Sequence, residues 1–131
     1  MSLKILVVDD NQRLVDFLAM YLSKKGYNAQ GVTSVPEALG IIAQEKFDVL
    51  IVDACFEHVS GLTLLKSLRS RGDLTPVIMM SGYAQPQQVQ ECLKLGADDF
   101  LFKPFRLEVL ADILQGIESR NRRFAKMGVQ P

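Results

Sequence analysis

An uninterrupted apolar run, Val49 to Val52, ends abruptly at Asp53 and restricts the fold more than any other stretch of the chain. Four apolar residues without polar alternation are typical of a strand covered on both faces, as in parallel sheets. Aspartate is a poor strand former, and its carboxylate is costly to bury unless another group pairs with it. The sequence therefore predicts a central parallel strand with a partnered carboxylate at its carboxyl end.

Three further apolar runs end at residues that can take part in chemistry. They span residues 4–8, 75–80 and 100–102, and they are followed by Asp9-Asp10, Ser81 and Lys103 respectively. The carboxyl ends of parallel strands lie along one edge of an open sheet, where ligands bind. We therefore expect three acids, one hydroxyl group and one ammonium group to converge at a single site.

Amphipathic segments separate these runs and predict helices. In the first of them, Asn11 is a candidate N-cap, and Leu14 and Leu18 share one helical face. A weaker strand over residues 27–32 is expected nearer the sheet edge. Strands that alternate with helices indicate βαβ units with right-handed crossovers. We predict an α/β fold, a three-layer, doubly wound (βα)5 sandwich whose parallel five-stranded sheet has the strand order 2-1-3-4-5.

The length of 131 residues suits one domain, which we place at residues 1–119, followed by a helix end, linker or tail at residues 120–131. The 15 basic and 15 acidic side chains cancel, so no overall field attracts nucleic acid or a membrane surface. The arginines at 120, 122 and 123 have no accompanying aromatic or helix-turn-helix pattern. We therefore predict no direct contact with nucleic acid.

The sequence also bears on where the protein resides. No apolar stretch approaches the length of a membrane span, and the chain begins a strand almost at once rather than with a secretory signal. Cys55 and Cys92 form no CxxC pair and have no metal-binding spacing. Because a domain of this size needs no disulfide scaffold, we expect a reducing, cytoplasmic location and no membrane contact.

The expected cluster of acids carries a charge that needs balancing. Three carboxylates beside the single Lys103 leave a net charge of roughly −2. A divalent cation would balance it, and hard oxygen ligands with room for water favour Mg²⁺ over zinc or copper. A carboxylate beside Mg²⁺ can attack phosphorus and form an aspartyl phosphate. Mg²⁺, Lys103 and the Ser81 hydroxyl would then contact the three equatorial phosphoryl oxygens.

Taken together, these motifs resemble those of the receiver domains of two-component response regulators, the CheY-like superfamily. The resemblance covers roughly residues 3–118 and rests on Asp9-Asp10, Asp53, Gly61, Ser81-Gly82 and Lys103-Pro104-Phe105. It implies that residues 1–119 are a receiver (response regulatory) domain in which Asp53 is the phosphoacceptor. It also implies a metal site for Mg²⁺ formed by Asp9, Asp10, Asp53 and the backbone carbonyl of Cys55.

The same resemblance implies roles for three residues beyond the acids. Lys103 takes the position of the lysine that pairs with the phosphoryl group. Ser81 takes the position of the hydroxyl switch, and Phe100 that of the aromatic switch three residues before the lysine. Phosphorylation is then expected to alter the face formed by the fourth helix, the fifth strand and the fifth helix, which would control a partner or effector.

The resemblance implies a phosphorelay signalling domain rather than an enzyme. Its only expected activities are self-phosphorylation from small donors and self-dephosphorylation. A histidine kinase or a phosphotransfer protein is the expected donor. The face described above would also serve for a homodimer, and any effector domain would lie outside this chain.

Departures from the family pattern and other readings accompany this interpretation. Phe100 lacks the hydroxyl group of the tyrosine that is commoner at its position, and a structural pseudo-receiver would be expected to lose some of Asp10, Asp53 and Lys103, which are all present. The loop after the acceptor has Phe56 where the family often has methionine, and Glu57 where it usually has proline. A haloacid-dehalogenase-like phosphohydrolase also uses a strand-end aspartate, but it needs a second aspartate where this chain has Cys55. A flavodoxin-like module needs a glycine-rich first loop, which is acidic here. A phosphohistidine at His58, the single histidine, lacks partner residues nearby in the sequence.

Two residues beside the expected site bear on how long a phosphoryl group would last. Cys55 and Tyr83 each lie two residues past a site residue. A thiol is a weak hydrogen-bonding group for positioning water, and a tyrosine is large enough to shield the phosphoryl group. We predict slow self-dephosphorylation on this basis. The alternative is that Tyr83 points into solvent and the rate is set elsewhere.

Overall fold

Strands and helices alternate along the whole of the chain that the computed structural model describes, residues 2–55 and 60–128. The strands are β1 Lys4–Val8, β2 Asn28–Val32, β3 Val49–Asp53, β4 Val77–Ser81 and β5 Asp99–Phe102. The helices are α1 Gln12–Lys24, α2 Val35–Gln44, α3 Gly61–Ser70, α4 Pro86–Lys94 and α5 Leu107–Lys126. The predicted alternation of strands and helices is confirmed.

The strands form one parallel sheet in the order β2-β1-β3-β4-β5. This order confirms the predicted 2-1-3-4-5 topology, including the edge position of the weak second strand. The switch point lies between β1 and β3, which pair with Val8 opposite Val52. The chain leaves these two neighbouring strands toward opposite faces of the sheet, which opens a crevice at their carboxyl ends.

Each face of the sheet has its own apolar core, because successive strand residues point to opposite sides. On one face, Ile51 and Met80 pack among side chains of α1 and α5, such as Leu18 and Leu114. On the other face, residues of β3 and β4 pack against α2, α3 and α4. All five residues of β3 are buried, as expected for a strand covered on both faces. The predicted three-layer arrangement is confirmed.

Caps fix the helix beginnings that lie close to the crevice. The side chain of Asn11 accepts hydrogen bonds from the backbone N–H groups of Arg13 and Leu14, so the predicted cap of α1 is confirmed. Ser60 caps α3 in the same way, through the N–H group of Leu62. Both caps begin a helix within a few residues of a strand end and so keep the connecting loops short.

The last helix is longer than its apolar stripe. Leu110, Leu114 and Ile117 are buried against the sheet, as predicted. Beyond them α5 continues to Lys126, so residues 120–126, placed in a helix end, linker or tail, are helical. None of the helices within residues 2–55 and 60–128 has the length and hydropathy of a membrane span.

Candidate functional site

The carboxyl ends of β1 and β3 bring three aspartates together. Asp9, Asp10 and Asp53 each offer a carboxylate oxygen, and these oxygens all lie within 4.8 Å of one another. Asp9 is fully buried and Asp53 is only 6% exposed, whereas Asp10 faces solvent. The cluster forms because β1 and β3 are hydrogen-bonded neighbours that end at the same level of the sheet. Of the predicted metal ligands, these three side chains therefore do converge.

Lys103 reaches into this cluster from the end of β5, an edge strand of the sheet. Its Nζ donates a hydrogen bond to Asp9 Oδ2 at 2.6 Å and lies 3.6 Å from Asp53 Oδ2. The lysine follows β5 directly, and its backbone N–H donates to the carbonyl of Ser81 at 2.8 Å, which fixes where the side chain starts. One ammonium group among three carboxylates leaves a net charge of about −2 at the site.

The two buried carboxylates differ in how fully they are engaged. Asp9 Oδ1 accepts from the N–H group of Asn11 at 2.9 Å, and its Oδ2 holds Lys103. Asp53 Oδ1 accepts a longer hydrogen bond, 3.2 Å, from the N–H group of Cys55, and its Oδ2 has the longer contact with Lys103. Asp53 is therefore the carboxylate whose oxygens are held less tightly, which suits a nucleophile.

Burial raises the pKa of Asp53 above its ordinary value. The charges of Asp9 and Asp10 act in the same direction, because a second negative charge nearby disfavours ionisation. The hydrogen bond from Cys55 and the charge of Lys103 oppose them without cancelling the effect. The folded protein thus holds Asp53 under electrostatic strain that a bound cation would relieve.

Ser81 lies at the end of β4, beside the cluster, and its hydroxyl group is already engaged. Its Oγ donates to the carbonyl of Tyr83 at 2.7 Å and accepts from the N–H group of the same residue at 3.1 Å. Cys55 Sγ lies 3.9 Å from this oxygen. The hydroxyl therefore organises the loop between β4 and α4. Tyr83 is 74% exposed. Its side chain therefore points into solvent, which was the alternative to the predicted shielding position.

Phe100 lies half-buried on β5, among the side chains of the core that includes α3 and α4. Its ring centroid is 5.1 Å from that of Phe102, whose side chain is exposed. Leu93 of α4 and Val109 of α5 are exposed as well. We call the four residues Leu93, Phe100, Phe102 and Val109 the α4–β5–α5 face.

Gly61 belongs to the motif that the sequence shares with the family, and the structure gives the physical reason for a glycine there. A Cβ atom at this position would lie 1.8 Å from the backbone oxygen of Asp53. The neighbouring Ser60, not singled out from sequence, donates from its Oγ to the carbonyl of Ala54 at 2.8 Å. A serine directly before a predicted helix is the sequence signal for its role as the N-cap of α3. Phe56, Glu57 and His58 lie outside the described residues.

Comparisons with known proteins agree with this fold. A sequence profile described as the response regulator receiver domain matches residues 5–115. The response regulator MprA of Mycobacterium tuberculosis is 34% identical over 122 residues, which cover 93% of this chain and 53% of that protein. The chain thus spans about half the length of this relative.

Solved structures give the same result. The receiver domain of the Francisella response regulator 1452 has a TM-score of 0.86 at 31% identity, over 92% of this chain and 99% of that one. The chemotaxis protein CheY4 of Vibrio cholerae has a TM-score of 0.82 at 29% identity, over 89% and 99% of the two chains. The profile match, which covers most of the chain, shows that this protein belongs to the response regulator receiver domain family of two-component signalling.

Proposed function

We propose that this domain accepts a phosphoryl group from a histidine kinase, or from a phosphotransfer protein, on Asp53. The observation that carries the proposal is the buried Asp53 carboxylate beside two other acids and within 3.6 Å of the Lys103 ammonium group. In the transfer, a carboxylate oxygen of Asp53 forms a bond to phosphorus. The P–N bond of the donor phosphohistidine breaks, and its electron pair returns to the imidazole nitrogen.

The acids of the site fit a magnesium ion. Three carboxylate oxygens lie within 4.8 Å of one another, and Asp10 opens the cluster to solvent, so bound water has access. We propose Asp9, Asp10, Asp53 and the backbone carbonyl of Cys55 as the ligands. When bound, Mg²⁺ would neutralise negative charge on the acids and on the incoming phosphoryl oxygens.

Lys103 and Ser81 would hold the transferred group. The contact between Lys103 Nζ and Asp53 Oδ2 leaves the ammonium group close enough to bind an oxygen added to that carboxylate. Ser81 would have to exchange acceptors, because its hydroxyl proton now goes to the Tyr83 carbonyl. A bond to a phosphoryl oxygen would release that carbonyl and let the loop after β4 move.

The moving loop is the proposed origin of the conformational switch. Space vacated beside β4 would let the Phe100 ring turn further inward, away from its present contact with Phe102. The α4–β5–α5 face would then present a different apolar surface to a homodimer partner, or to an effector domain outside this chain. In this proposal the domain is a signalling switch whose only chemistry is its own phosphorylation and dephosphorylation.

Transfer from a phosphorylated histidine kinase domain tests the function directly. With Mg²⁺ present, label should leave the kinase and appear on this chain, and a chelator in excess should stop the transfer.

Asp10→Asn should weaken Mg²⁺ binding on the order of tenfold or more, because one of three anionic ligands becomes neutral. Calorimetry that finds equal Mg²⁺ affinity in this variant and the wild type would overturn the metal assignment; Asp16→Asn, on the exposed side of α1, is the matched control.

Ser81→Ala separates the switch from the chemistry. The variant should still accept a phosphoryl group, because Asp53 and Lys103 are untouched. It should lose most of the phosphorylation-dependent change in amide chemical shifts on the α4–β5–α5 face, since no hydroxyl group remains to change partners. Shifts on that face as large in the variant as in the wild type would exclude the proposed coupling.

A further inference from the structure

The guanidinium group of Arg69, in the last turn of α3, joins three segments at the amino ends of the strands, opposite the acid cluster. Its Nε and Nη2 donate to the carbonyl of Gly96 at 3.2 and 2.8 Å, and its Nη1 donates to the carbonyl of Asp73 at 2.8 Å. Nη2 also lies 3.4 Å from Asp98 Oδ2. We call these contacts of Arg69 with Asp73, Gly96 and Asp98 the Arg69 clasp.

The clasp holds the C-terminal end of α4. Gly96 has a φ of +102° and ends the helix, with its own N–H group donating to Leu93 and that of Ala97 donating to Cys92. A Cβ atom on Gly96 would lie 2.8 Å from Arg69 Nε, so the arginine lies directly against this turn. Asp98 in turn accepts from the N–H group of Val77 at 2.8 Å, which ties the clasp to the start of β4.

The N-terminal end of α4 has no comparable attachment among the contacts of the described residues. It begins in a capping box formed by its own residues, Gln85 and Gln88. The loop before it is tied down through the hydrogen bonds between Ser81 and Tyr83. Cys92, in the last turn, is the one buried residue that α4 contributes. Tertiary anchoring of this helix is therefore concentrated at its C-terminal end.

We propose that α4 is hinged at its C-terminal end, with the Arg69 clasp as the fixed point and the end beside Ser81 as the moving part. An arginine is suited to this role because its planar fork makes several directed, charge-assisted hydrogen bonds at once. Two of the acceptors are main-chain carbonyls, which cannot rotate away as side chains do. That phosphorylation drives the motion rests on the proposed function; the hinge itself does not.

Amide hydrogen exchange on the unphosphorylated protein, in chelator, tests the hinge. In the wild type, amides in the first half of α4 should exchange faster than those of Gly96 and Ala97. Arg69→Ala should raise exchange at residues 95–98 about tenfold, because several hydrogen bonds to a charged group are lost. Arg69→Lys should fall between, since one ammonium group cannot span three acceptors. Arg71→Ala, at the exposed C-cap residue of α3, should change these rates less than about twofold.

Three results would overturn the hinge. The first is faster exchange at Gly96 and Ala97 than in the first half of α4 in the wild type. The second is no change at residues 95–98 in Arg69→Ala. The third is an equal rise in α1, which would mean that the variant only lowers global stability. Repeating the measurement with a small phosphodonor and Mg²⁺ separates the two proposals. If amide exchange in α4 does not respond to phosphorylation while the Arg69 variants still behave as expected, the result counts against the switch and not the hinge.

Discussion

Replacing Asp53 by asparagine is expected to abolish phosphoryl incorporation from a small phosphodonor. An amide has no anionic oxygen to attack phosphorus, and Asp9 cannot take over because Asn11 and Lys103 engage both of its oxygens. Intact mass should show one added phosphoryl group on the wild type with Mg²⁺, and none on the variant.

The matched control is Asp112→Asn, which neutralises an exposed aspartate on α5 and should leave incorporation unchanged. Label that persists in Asp53→Asn would contradict the acceptor assignment. Peptide mapping would then identify the acceptor, with Asp10 and His58 as the positions to examine first.

Asp53→Asn should also raise the free energy of unfolding when Mg²⁺ is chelated. Burial raises the pKa of Asp53 in the folded state, with the charges of Asp9 and Asp10 adding to the effect. A carboxyl group of this kind destabilises the fold above its folded-state pKa, and the penalty disappears below its unfolded-state pKa of about 3.9. Urea denaturation should therefore give a higher free energy of unfolding for the variant than for the wild type at neutral pH, and the difference should vanish at about pH 3. A difference that grows as the pH falls would contradict this account.

Gly61→Ala is expected to cost about 2–3 kcal/mol of unfolding free energy. The added Cβ atom would lie 1.8 Å from the oxygen of Asp53 and 2.8 Å from both its carbonyl carbon and Val52 Cγ1. Because the closest atoms belong to the backbone of β3, no side-chain rotation relieves the overlap. The start of α3 must move away from β3. Denaturant titration should show this loss of unfolding free energy.

Gly116→Ala is the matched control for Gly61→Ala. Gly116 lies in the middle of α5, and a Cβ atom there would meet no atom within 4 Å outside its own helix. Alanine should stabilise the protein by roughly 0.5–1 kcal/mol, because it loses less backbone entropy in a helix than glycine does. Equal effects of the two substitutions would show that helix propensity, and not the contact with Asp53, governs position 61.

Local patterns were sufficient to predict the sheet. The apolar run of β3 and the alternation of strands with helices predicted a parallel sheet, and the strand ends that carry Asp9, Asp53, Ser81 and Lys103 indicated where the site lies. Strand burial and helix caps depend on residues close together in the sequence, so a single sequence records them. The convergence of the three aspartates followed from strand order alone.

Contacts between distant residues were not accessible in the same way. That Lys103 binds Asp9 more closely than Asp53 depends on side-chain paths across the sheet. That the Ser81 hydroxyl is engaged by Tyr83 depends on the conformation of one loop. The Arg69 clasp joins α3 to a turn 27 residues away, and no periodic pattern marks such a contact. Each of these contacts selects one partner among several groups that the sequence alone does not distinguish.

The pairing of Asp9 with Lys103 has a consequence for the order in which the protein is made. The two residues are 94 positions apart, so a chain emerging from the ribosome contains all three acids long before their counter-charge. Until β5 is present, pairing of β1 with β3 brings the three carboxylates together without the ammonium group of Lys103, which disfavours that pairing. Closure of the acid cluster is thereby coupled to synthesis of the C-terminal quarter, which carries Lys103.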